Sequence, residues 1–175
     1  EEQEIPVWLS NVEILRQALE AVRPTLVVVD PLQGFLGPDV DMYRANEVRP
    51  ILTGIGKLAE AFHCAFLLIG HPSKSPQERA IYRVLASIDF AAAPRSILLV
   101  GQDPKNPKQN VFCHLKSSLA PKGKSITYQI TNGKFLWCGT SELTPQDILR
   151  SEMTSNEKGR LEEAIEFLRE ILNNG

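Results

Sequence analysis

The chain has 175 residues, enough to bury a sizeable core as one domain with an appendage. Its 43% hydrophobic and 23% charged residues are an ordinary globular mix, which excludes wholesale disorder. A net charge of −2 excludes a global basic footprint, so any nucleic-acid contact has to come from a local patch.

The three cysteines, Cys64, Cys113 and Cys138, are odd in number and far apart. Without a CxxC spacing they argue against zinc and against a disulfide framework, and they fit a reducing compartment. There is no signal-peptide pattern and no apolar run near the roughly 20 residues that would span a bilayer. A soluble, cytoplasmic protein that makes no membrane contact is expected.

In chain order, Ser10 and Glu13 have the spacing of a capping box, with Val12, Leu15, Leu19 and Val22 recurring at helical intervals behind them. Pro24 should end that helix. Thr25 to Val29 are apolar apart from the threonine and β-branched apart from Leu26, which predicts a strand buried on both faces. The following DPLQGFLGPDVD reads as a loop. A second helix is best supported from Pro50 to Phe62, where Ile51, Leu52, Ile55, Leu58, Ala59 and Phe62 make one stripe. Its start is ambiguous, because Pro50 suits a first helical turn but biases Arg49 away from helix. Cys64 to Ile69 then give another short strand, and strand–helix–strand at this spacing implies a parallel βαβ unit.

Beyond a polar stretch holding Lys74, Arg79 and Arg83, the segments SILLVG, NVFCHLK, SITYQI and KFLW predict four strands. Asn132-Gly133 is a tight-hairpin signal, and Asp103 to Asn110 supply a polar turn. These strands are expected to form an antiparallel meander that continues the parallel sheet. Thr144-Pro145 should start a short helix. The last helix places Leu161, Ala164, Ile165, Leu168 and Leu172 on one face, with Thr154 and Glu157 spaced to box its start.

Two strand ends carry polar groups suited to chemistry. Asp30 follows the first strand at the sheet edge where open α/β folds bind ligands, and Mg²⁺ takes hard oxygen donors of this kind. It fits a metal ligand and equally a turn opener before Pro31. His71 follows the next strand, where a polar group can touch a terminal phosphate or serve structure alone. Two such ends one βαβ unit apart favour the ligand reading. Gly123-Lys124-Ser125 looks like the end of a phosphate loop but is not one. Ser118 stands where the loop needs glycine, and a strand rather than a helix follows.

LVVVDPLQGFLG, DMYRANEVRPIL, LLIGHPSKS, YRVLASIDFAAAPRSILLVG and HLKSSLAP, in that order, resemble the RecA-like ATPases of the RepA replicative helicase type. The likeness runs from about Thr25 to Trp137. It implies a partial RecA-like P-loop NTPase core of α/β class over 1–140, with a linker and C-terminal helical appendage over 141–175. It further implies ATP and Mg²⁺ as cofactors, single-stranded DNA as partner, and a homo-oligomer, a hexamer, in the intact protein.

Carried onto this sequence, Asp30 is the Walker B aspartate and His71 the γ-phosphate sensor. Arg95 becomes the arginine finger serving a neighbouring subunit's site, and Lys116 a strand-end cation that also reaches the neighbour's phosphates. Lys74, Arg79 and Arg83 become the DNA contacts of a channel loop. Arg95 and Lys116 also fit plain strand residues, and the three basic loop residues a solvated loop. The Walker A loop and catalytic glutamate that precede the Walker B strand in this family are absent, and Ala86 replaces a usual glycine. The expectation is therefore a piece of a longer ATPase that is inactive and monomeric by itself. The alternatives are a non-catalytic scaffold module, and a recombinase-type or regulatory ATPase on the same fold.

Overall fold

The computed structural model describes residues 7–71 and 88–151. The chain divides into two compact units, Glu1–Pro94 and Arg95–Gly175. Two of the sequence expectations, the basic loop with Ala86 and the final helix, lie outside the described residues.

Helix α1 spans Val12–Val22. Its cap is Asn11, whose side chain accepts from the Ile14 N–H at 3.2 Å, and not the Ser10 expected from the capping-box spacing. Glu13 does not reach back to the cap. It pairs instead with Arg16 one turn on, at 2.6 Å. Ser10 and Asn11 are both good caps, and the carboxylate gains more from a guanidinium than from an amide. Arg23 closes the helix in the left-handed conformation, its N–H donating to the Leu19 carbonyl.

Strand β1 (Leu26–Val29) pairs in parallel with β2 (Ala65–Leu68), Leu26 opposite Ala65 and Val29 opposite Leu68. The expected burial of β1 on both faces does not hold. Leu26 and Val28 are 52% and 53% exposed, while Val29 is buried and Val27 packs against the core. A wholly apolar strand carries no alternation to say which face is covered.

Between the strands runs α2, Ala45–Phe62, which begins five residues before the expected start and holds Pro50 inside it. The Pro50 ring removes one early helical hydrogen bond. The extra turn compensates by burying Val48 completely. Glu47 steadies the start, accepting from the Asp41 N–H at 2.7 Å and pairing with Arg44 at 3.3 Å. α1 crosses α2 closely at Gly54, where an added Cβ would lie 2.9 Å from Val12. Leu9, Val29, Leu32, Leu36, Val48, Ile51, Leu52, Ile55 and Phe90 form the core of this unit. Phe90 comes from the short helix α3, Ile88–Ala92, whose buried Asp89 holds Arg49 at 3.0 Å.

In the second unit, β3 (Ser96–Asp103), β4 (Asn106–Ser117), β5 (Ser125–Thr131) and β6 (Lys134–Ser141) form a meander in simple sequence order. All four expected strands are present. They make a sheet of their own, where the sequence reading had them extend the ladder of β1 and β2. Ile97, Leu99, Val111, Cys113 and Leu115 are buried, while Leu98 and Val100 on the alternate positions of β3 are 40% and 49% exposed, and Phe135, Leu136 and Trp137 of β6 are all exposed. Asn132 and Gly133 both take positive φ, 51° and 73°, as a two-residue hairpin turn with right-handed strand twist requires. The pairing of β5 with β6 steps from Thr127–Gly139 to Tyr128–Trp137, so Cys138 is skipped, and Gly139 has φ 123°. A helix over 145–151 follows, with Ile148 fully buried.

Candidate nucleotide-site elements

The C-terminal ends of β1 and β2 lie side by side, because the two strands are parallel and in register to their last residues. Asp30 leaves β1 and His71 follows β2 by three residues, and both are exposed. The ladder continues past the strands. The Ile69 N–H donates to the Val29 carbonyl at 2.9 Å, and the Leu32 N–H to the Ile69 carbonyl at 2.7 Å. Gln33 adds a third tie, its side-chain amide donating to the His71 carbonyl at 3.1 Å. The other end of that amide, Oε1, is buried without a hydrogen-bond partner. The Asp30–Pro31 peptide is cis, and Leu32–Phe35 form a single 3-10 turn. Asp30 and His71 thus project from one stitched sheet edge, as the sequence reading expected of a βαβ unit.

Gln33 was not among the expected site residues. It is the one polar side chain in the turn LQGF, between a leucine that enters the core and a glycine.

The donor set fits one half of a Mg–nucleotide site. Asp30 offers a single exposed carboxylate, and Mg²⁺ commonly takes one or two carboxylates and fills its remaining positions with water and phosphate oxygens. Among the described residues no group of three or more His, Cys, Asp or Glu side chains is placed to hold a metal by itself. The Gly123-Lys124-Ser125 segment leads into β5, so it is no phosphate loop.

In the second unit, Arg95 is exposed immediately before β3 and Lys116 is half-buried near the end of β4. Ser96 pairs with Ser117 and Ile97 with Lys116, so the two cations share one end of the sheet. The Ser118 N–H donates to the Arg95 carbonyl at 2.9 Å, fixing the backbone there. His114, also missed from sequence, sits in the same corner. Lys74, Arg79 and Arg83 lie outside the described residues. Among the described residues no helix is long and apolar enough to cross a membrane.

Comparison with known proteins bears on the first unit most directly. Residues 3–77 match the family model of an AAA domain. This stretch contains both strand ends. No curated protein matches the chain. Among solved structures it is similar to a crystal structure of the RadB recombinase, at 15% identity and a TM-score of 0.47. That superposition covers 70% of this chain and 58% of the recombinase, so the chain spans little more than half of that protein's length.

Proposed function

We propose that the chain is part of a RecA-like ATPase motor, a replicative DNA helicase of the RepA type. The observation that carries this is the pair of polar strand ends, Asp30 and His71, on one parallel sheet edge inside the segment that matches an AAA domain. An aspartate at that edge holds Mg²⁺, directly or through water, and the ion with its ATP supplies charge neutralisation on the phosphates being transferred. Asp30 would hold the ion through its hydration shell, and His71 would face the terminal phosphate from the neighbouring strand.

Arg95 and Lys116, at one end of β3 and β4, are the cations offered to an adjoining subunit's site. On this reading the motor is a homo-oligomer, and the resemblance to RepA-type helicases implies a hexamer that translocates on single-stranded DNA with Lys74, Arg79 and Arg83 as its contacts. The test is Arg95→Ala in the full-length ATPase. Hydrolysis should be abolished while the nucleotide Kd is largely kept, and wild-type turnover would overturn the assignment. Strand displacement by the same protein separates a helicase from a recombinase.

A further inference from the structure

His114 makes two hydrogen bonds at the corner where β3 begins and β4 ends. The backbone N–H of Gly123 donates to Nδ1 at 3.2 Å, and Nε2 lies 3.0 Å from the Ser96 hydroxyl. A backbone N–H can only donate, so Nδ1 is the bare nitrogen of the ring. A neutral imidazole has one proton, which is then on Nε2 and directed at Ser96 Oγ. Ser96 is the residue after Arg95, and the Ser117 hydroxyl donates to the Ala120 carbonyl at 2.7 Å on the far side of the corner. One imidazole therefore ties the start of β3 and the turn after β4 to the strand between them.

We propose that His114 is the positioning residue of this cationic strand end, a neutral, Nε2-protonated clasp that releases the turn leading to Gly123 when the ring gains a second proton. In the imidazolium both nitrogens carry hydrogen, so Nδ1–H would face the Gly123 N–H, donor against donor. The Ser96 bond survives, because Nε2 keeps its proton. Release is thus confined to the turn, and Arg95 stays attached through Ser96 and Ser118. The charged groups on the elements around the ring are Arg95 before β3, Lys116 on β4, and Lys122 and Lys124 on the turn. Lys124 pairs with Glu142 at 3.2 Å, and this contact and the Ser117–Ala120 bond remain on the turn once the clasp opens. The link to catalysis rests on the reading of Arg95 above, whereas the clasp itself does not.

Nitrogen-15 NMR of this chain across a pH titration tests it. The neutral His114 ring should show the Nε2–H tautomer alone. The Gly123 amide should shift, and exchange faster with solvent, in step with the ring's titration, while the Leu99 and Val111 amides stay put. His114→Gln should abolish the pH dependence at Gly123. An Nδ1–H tautomer, a Gly123 amide indifferent to the ring, or a dependence that survives in His114→Gln would each overturn the clasp. Should the variant not fold, the wild-type titration decides alone. Wild-type turnover in Arg95→Ala would remove only the catalytic link.

Discussion

At the start of the last described helix, Thr144 and Asp147 cap each other. The Thr144 hydroxyl and N–H donate to one Asp147 carboxylate oxygen at 2.6 and 2.8 Å, and the Asp147 N–H donates back to the hydroxyl at 3.3 Å. These bonds, the hydroxyl's first, hold the Asp147 carboxyl below its ordinary 3.8. A depressed carboxyl contributes stability that is complete above its unfolded value and is lost as pH falls through the folded one. Asp147→Asn should therefore melt at a lower temperature than wild type at pH 7, and the gap should narrow as pH falls below 3.8. A constant gap across that range would place the effect elsewhere. Glu13 is pulled further, to about 2, by Arg16 first and Gln17 second. That cluster lies in water, where screening leaves an ion pair little net effect. Burial pushes the Cys113 thiol up, so at neutral pH it is a packed thiol and no nucleophile.

Among the elements, the β5–β6 hairpin depends on the backbone conformation of its turn as well as on the Tyr128, Phe135 and Trp137 rings packed across it. Gly133 turns between β5 and β6 at φ 73° with open space where a Cβ would sit. Gly133→Ala should thus cost about 1–2 kcal/mol through backbone strain alone, read from chemical denaturation. A neutral result would mean the turn relaxes to another type. The antiparallel strands were legible because short apolar and aromatic runs are separated by polar turn segments, and Asn132-Gly133 marks a bend with its own chemistry. β1 was legible as a strand but not in its surroundings, since Leu26 to Val29 are apolar at every position. The start of α2 was obscured by Pro50, because local bias at Arg49 gave way to the burial of Val48. The strand-end residues Asp30 and His71 could be placed from strand boundaries and parallel pairing. Gln33 and His114 could not, since each acts through a contact made across the fold, over 38 and 18 residues respectively.

For the molecule as a whole, the two units carry complementary halves of the proposed chemistry. On that proposal the first unit would offer Asp30 to the metal and His71 to the phosphate, and the second would offer Arg95 and Lys116 to another subunit. No glycine-rich phosphate loop lies before β1 within these 175 residues. Isothermal calorimetry should accordingly find weak Mg-ATP binding to this chain, or none. Micromolar affinity would mean that residues other than a phosphate loop cradle the nucleotide, and the assignment of Asp30 would have to be rebuilt.

The residue skipped in β6 has a consequence for solubility. A terminal strand is a template, because its outward amides and carbonyls can recruit any extended chain and grow the sheet without limit. Phe135, Leu136 and Trp137, each at least half exposed, would make such recruitment adhesive. Cys138 and the positive φ of Gly139 put a kink just after them, and an extra residue of this kind twists the outer row of donors and acceptors out of line. A bulge of this kind opposes edge-to-edge pairing of the exposed strand with another chain.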